Sequence, residues 1–134
     1  MTKECYSLDT SFVLRLLTRD PLPLYQRASI FFEQWKKGSP PFNVPDLVLA
    51  ECYFALQYHY SFSKTDALES LRLFSQHPAI ACSSWVCAIL ETKGIGRLSP
   101  GFVDRLIHAH AVANDSTLVT FEKSAAKLKG VMIL

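Results

Sequence analysis

Strands that alternate with helices along the whole chain predict an α/β fold. The expected form is three-layered, α/β/α, with a short, mainly parallel central sheet of about four to five strands. Three observations carry that expectation. Short apolar runs recur between longer segments whose apolar residues repeat at helical spacing. Capping residues or a proline open several of those helical segments. The composition also suits a buried core: 49% of the 134 residues are hydrophobic and 19% are charged, against usual values of about 45–50% and roughly 25%.

The elements follow in order. Cys5 to Leu8 is a brief apolar run and the first strand. Asp9, Thr10 and Ser11 are capping types, and Phe12/Leu16 and Val13/Leu17 repeat at helical spacing behind them. Arg19-Asp20-Pro21-Leu22-Pro23 breaks that helix, and Leu24 to Lys37 forms a second, with Ala28, Phe31, Phe32 and Trp35 on its apolar side. Phe42 to Val44 is the second strand. Pro45 then opens a long helix from Asp46 to about Tyr60. Ser63-Lys64-Thr65-Asp66 resembles a capping box, with Leu68, Leu71 and Phe74 as the stripe behind it. Ala79 to Cys82 is the third strand, and Ser83 or Ser84 caps a helix through Thr92. Gly94 to Gly101 is a loop and Phe102 to Ala113 a helix. Thr117 to Thr120 is the fourth strand, Glu122 to Leu128 a short helix and Val131 to Leu134 the last strand. The length fits a single domain, 1–134.

Composition also excludes several classes. Net charge is +2, so bulk charge supplies no polybasic signal, and any contact with nucleic acid depends on where the basic residues sit. No apolar run reaches the roughly 18 residues that span a bilayer, and Met1 to Cys5 carries no signal-peptide pattern, so the expected location is the cytoplasm. There the four cysteines, Cys5, Cys52, Cys82 and Cys87, are expected to be buried free thiols.

In a parallel α/β sheet the site lies outside the carboxyl ends of the strands. Four acids fall there or in the helices that follow. Asp9 directly follows the first strand and Glu122 closely follows the fourth. Glu51 and Asp104 are each isolated among apolar neighbours on a helix. Unpaired buried carboxylates are costly, so acids in such surroundings are expected to be paired or metal-bound. Taken singly, each has an ordinary structural role: a cap for Asp9, a satisfied acid for Glu51, first-turn dipole partners for Asp104 and Glu122. Four acids at one end of one sheet point instead to a site for a hard divalent cation, which takes oxygen ligands and can activate water at a phosphodiester.

The run Ser7 to Leu17 resembles the opening of a PIN-domain ribonuclease. Val48-Leu49-Ala50-Glu51 is similar to that family's second acidic element, Phe102 to Ile107 to its third, and Leu118 to Glu122 to its fourth. Lys127 to Val131 is similar to its usual tail. The ordered set spans nearly the whole chain, and the nearest branch is the small bacterial PIN proteins that include toxins of VapBC-type toxin–antitoxin systems. The resemblance implies a PIN-like fold and a metal-dependent nuclease acting on RNA. Asp9, Glu51, Asp104 and Glu122 would hold Mg²⁺ or Mn²⁺, with Thr10, Ser11 and Thr120 in support. It also implies a small antitoxin protein as a partner. Glu122 departs from the family pattern, which has Asp there, and this raises the alternative of a catalytically weak domain that binds RNA or a protein.

Other features are weaker. Arg15, Arg97, Arg105 and Lys123 lie near helix starts or loops and are candidates for an RNA-phosphate rim. His59, His77, His108 and His110 lack metal-ligand spacing and are expected to be structural or on the surface. Gly94-Ile95-Gly96 follows no strand, so a dinucleotide loop is not expected. A phospho-acceptor signalling domain would want paired acids after the first strand and a lysine ending a late one; Asp9 is followed by Thr10, and no such lysine is present. The stretch Tyr53 to Phe62 is apolar nearly all round, which predicts a helix buried on more than one side and partly covered by a second chain, in a homodimer or on an antitoxin.

Overall fold

A computed structural model describes residues 4–134, so the reading of Met1 to Lys3 lies outside the described residues. Six α-helices and four short strands follow in the expected order: α1 (Thr10–Thr18), α2 (Leu22–Glu33), β1 (Phe42–Asn43), α3 (Asp46–His59), α4 (Lys64–Ser75), β2 (Ile80–Ala81), α5 (Ser84–Leu90), α6 (Phe102–Ala113), β3 (Leu118–Thr120) and β4 (Val131–Ile133). Single 3-10 turns cover Ile95–Arg97, inside the expected loop, and Lys123–Lys127, where a short helix was expected.

Local chemistry sets the boundaries. The side chains of Asp9, Ser63 and Ser83 each accept a backbone N–H at the start of α1, α4 and α5, satisfying donors that a helix start otherwise leaves open. The second helix spans Leu22–Glu33 rather than Leu24 to Lys37. Pro23 is accommodated inside its first turn, where no N–H is needed. Lys36 and Lys37 fall beyond its end.

The strands are parallel, as expected, but they form two separate pairs rather than one sheet of four to five. β1 pairs with β2 in the register Phe42–Ile80 and Asn43–Ala81. The first expected strand, Cys5 to Leu8, contributes one bridge, Ser7 to Asn43. It is held by Leu8 N–H on Asn43 O at 2.9 Å and Asn43 N–H on Tyr6 O at 2.8 Å. β3 pairs with β4 from Leu118–Val131 to Thr120–Ile133. The connection between β3 and β4, residues 121–130, is short for a parallel crossover, which ordinarily takes a dozen or more residues. It winds into a 3-10 turn that offers little apolar surface, and Ala125 is its one buried residue.

The core lies among the helices and the first strand pair. Val13 of α1, Leu49 and Leu56 of α3, Leu71 of α4, Val86 of α5 and Phe102 of α6 are among its fully buried side chains. Losing one such leucine to alanine typically costs about 2–5 kcal/mol. β3 and β4 stay at its margin: Val119 and Met132 are half exposed, and Phe121 is 79% exposed. His108 ties this unit to α6, its Nε2 lying 2.7 Å from Lys129 O. All four cysteines are free, but only Cys52 is fully buried; Cys5 is exposed, which corrects the expectation of four buried thiols. Among the described residues no helix is long and apolar enough to cross a membrane.

Candidate metal and nucleic-acid site

Asp9 stands where the Tyr6–Leu8 segment turns into α1. Its Oδ1 accepts from Phe12 N–H at 2.9 Å and from the Ser11 hydroxyl at 2.8 Å. The Phe12 N–H is the larger reason, and Ser11 the next, that the Asp9 carboxyl is held below the ordinary carboxylate range. Glu51 lies in the second turn of α3, the helix that follows β1. Thr10 connects the two acids, because its hydroxyl donates to Glu51 Oε1 at 2.7 Å from the residue next to Asp9. Both carboxylates are exposed.

The Cys52 thiol lies under this pair. Burial pushes its pKa up to about 12, and the negative charges of Glu51 and then Asp9 push in the same direction. Cys52 is fully buried, whereas the carboxylates above it are exposed. What remains is a hard set of carboxylate and hydroxyl oxygens, which fits Mg²⁺ or Mn²⁺ rather than a thiolate-loving metal. Mg²⁺ in particular is commonly held by one or two carboxylates with water and phosphate oxygens completing its shell.

The other two acids stand apart from this pair. Asp104 is exposed in the first turn of α6, where no side chain caps the helix. Glu122 opens the 3-10 turn after β3, and its Oε1 accepts from Ser124 N–H at 3.1 Å and the Ser124 hydroxyl at 2.8 Å. Those two bonds, the hydroxyl's first, hold its carboxyl below the usual range. Thr120 accepts from Glu122 N–H at 3.0 Å and so supports the turn. Among the described residues no three Asp, Glu, His or Cys side chains are grouped so that they could hold a metal ion. The expected convergence of four acids is thus present as a two-acid centre. The physical reason for Glu122 lies in the split sheet: β3 bonds to β4 alone, so the residues behind it are not carried to the Asp9 edge.

The basic candidates also separate. Arg15 lines a groove of about 520 Å³ together with Asp9, Ser11, Phe12, Leu24 and Arg27. Its Nε donates to Ser11 O and its Nη1 to Asp20 O. Arg105 is half-buried, with its Nε on Pro100 O at 2.7 Å, which fixes the loop before α6. Arg97 lines a different groove with Arg72 and Lys93, where none of the four acids reaches. Lys123 is exposed beside Glu122. A larger groove of about 650 Å³, bordered by Leu16, Tyr25, Phe32, Trp35 and Phe74, also holds none of those acids.

Arg27 is the residue that sequence reasoning missed. In the sequence it is one of several polar positions, with Gln26, Ser29 and Glu33, on a helix whose apolar side carries Ala28, Phe31 and Phe32. The short break between α1 and α2 was the available signal, since a brief connection folds the second helix back along the first. Phe31 meets Phe12 edge-to-face at 5.9 Å, and Arg27 lies one helical turn earlier on that side.

Fold and site together describe a parallel α/β protein with an oxygen-donor acidic centre at a strand end. The family model for the PIN domain matches residues 6–131, and the chain belongs to the PIN-domain family. Members of that family are generally nucleases that use divalent metal ions. Among solved structures, VapBC2 from Rickettsia felis bound to a DNA fragment from its promoter is similar over 98% of each chain, at 21% identity and a TM-score of 0.39. No curated protein matches the chain.

Proposed function

We propose that this protein is a single-domain, divalent-metal-dependent endoribonuclease that hydrolyses RNA phosphodiester bonds, and that it is the toxin of a type II toxin–antitoxin pair in the cytoplasm. The observation that carries the nuclease reading is the Asp9–Thr10–Glu51 arrangement within a PIN domain. The order of the sequence motifs supports the toxin branch, with a small antitoxin protein as partner.

Asp9 and Glu51 would hold Mg²⁺ or Mn²⁺, and Asp104 and Glu122 are the candidates to complete the site from outside that pair. Bound there, the ion supplies an activated water and neutralises charge on the phosphodiester. The chain's own groups prepare the site. Phe12 N–H and Ser11 hydrogen-bond the Asp9 carboxylate and hold it below the usual range, and the Thr10 hydroxyl hydrogen-bonds Glu51. With no cation bound, the two carboxylates repel RNA phosphates, so productive binding and metal binding are coupled.

The second reading, a domain that binds RNA or protein but cuts weakly, is favoured by one observation. Glu122 is engaged by Ser124 and is not grouped with the other acids. Incubation of single-stranded RNA with purified protein separates the two. Cleavage with Mg²⁺ or Mn²⁺ that stops with EDTA and is lost in Asp9→Asn supports the nuclease. RNA binding without cleavage under every metal condition supports the second reading, and equal cleavage in EDTA overturns the metal mechanism.

A further inference from the structure

The groove between α1 and α2 has chemistry that the acidic centre does not explain. Asp9 lines it together with two guanidinium-bearing residues, Arg15 and Arg27. The other lining residues are Ser11, Phe12, Leu24 and Ala28, so Asp9 is the one acid facing two cations. Arg15 is partly committed to the carbonyls of Ser11 and Asp20. Arg27 is exposed, and among the described residues its side chain makes no hydrogen bond, ion pair or ring contact. Three arginines outside the groove are engaged: Arg72 pairs with Glu69 at 2.6 Å, Arg105 holds Pro100 O, and Arg19 lies over the Tyr25 ring; Arg97 makes no such side-chain contact among the described residues but lines a different groove, without Asp9. A free guanidinium beside the acid that would hold the metal is set to take an anion that also reaches that acid's ion.

We infer that the α1–α2 groove carries the single-stranded RNA leading to the scissile phosphate, with Arg27 gripping a backbone phosphate adjacent to the one held at Asp9. This rests on the nuclease reading and names the path of its substrate. The fork of Arg27 matches phosphate oxygens in two-point geometry. Phe12 and the exposed Leu24 give the groove an apolar floor, which suits the face of an unpaired base and offers nothing to a duplex, whose base faces are stacked. The two arginines also offset the repulsion between Asp9 and the strand, so part of the binding persists without metal.

The test is binding of a fluorescein-labelled oligouridine of about a dozen nucleotides, followed by anisotropy in EDTA across a salt series. Arg27→Ala should weaken binding severalfold and reduce the slope of log K against log salt by about 0.7, the loss of one phosphate contact on a single strand. Arg27→Lys should keep the slope, because it keeps the charge. Both variants should melt with the parent, since Arg27 holds no other group in place. An unchanged affinity and slope in Arg27→Ala overturns the inference, as does a parent that fails to bind at low salt. Cleavage by the parent with Mg²⁺ or Mn²⁺ is scored separately. If cleavage is present while Arg27→Ala binds like the parent, the path is wrong and the nuclease reading stands. If cleavage is absent while Arg27→Ala loses the slope, the path stands and the nuclease reading falls.

Discussion

The Asp9 side chain accepts two hydrogen bonds from the first turn of α1 while lining the groove between α1 and α2. Its capping role and its proposed ligand role can be separated by substitution. Asparagine caps a helix about as well as aspartate but offers no negative charge to a metal. Asp9→Asn should therefore lose cleavage and melt close to the parent, whereas Asp9→Ala should lose cleavage and about 1 kcal/mol of stability, a few degrees in melting temperature. Thermal melts of the two variants decide it, and equal losses in both would remove the capping role. The pH dependence has a definite sign. The folded carboxyl is depressed, so its contribution is present above the unfolded value near about 4 and is lost as pH falls through the lower folded value. That acid-side loss should be smaller in Asp9→Asn. Glu122 calls for a different comparison. Glu122→Asp shortens the carboxylate and should change both Mn²⁺ affinity and cleavage rate if the residue reaches the metal. Equal cleavage by parent and Glu122→Ala would leave it as the cap that bonds Ser124.

At the scale of elements, α3 is divided along its length. Leu49, Cys52 and Leu56 are fully buried, while Leu47, Phe54 and Tyr58 are 71%, 44% and 78% exposed. Positions 47, 54 and 58 fall on one side at helical spacing, and the Phe54 and Tyr58 rings stack at 6.3 Å. The aromatic run is thus partly core and partly surface: Tyr53 packs against Phe102 at 5.2 Å, and its two neighbours on the outer side do not enter the core. We propose that this outer stripe meets a second copy of the chain. Sedimentation should show at least a dimer at micromolar concentration. Phe54→Ser with Tyr58→Ser should shift it toward monomer without lowering the unimolecular melting temperature. A parent that is monomeric throughout would leave the stripe as plain surface.

For the whole molecule, stability should be uneven. The buried residues concentrate in α1, α3, α4, α5 and α6, and beyond Leu106 only Ala125 is buried. Regions with few buried contacts open locally at low free-energy cost. Amides of β3 and β4 should therefore exchange with solvent faster than those of α3 and α4, and comparable protection in the two regions would contradict the split arrangement. Metal should act on the molecule by mass action. Mg²⁺ or Mn²⁺ should raise the melting temperature of the parent, and Asp9→Asn should gain much less.

Local pattern was enough for much of this protein. Apolar spacing and capping residues placed every helix to within a few residues, because Ser63, Ser83 and Asp9 satisfy helix-start donors through contacts only three residues away. The order of the acidic motifs identified the family for the same reason, since it is carried along the chain. The sheet was not legible in that way. Parallel pairing joins residues far apart in sequence, and an apolar run such as Leu118 to Thr120 reads the same whether it lies in a central sheet or pairs only with Val131 to Ile133. That difference set the site. Pairing of Ser7 with Asn43 brought Asp9 toward Glu51 through Thr10, while β3 kept Glu122 on its own turn. Arg27 likewise joined Asp9 only when α2 folded back along α1. Which residues carry oxygen and positive charge is written along the chain; which of them meet depends on long-range pairing, which local periodicity does not encode.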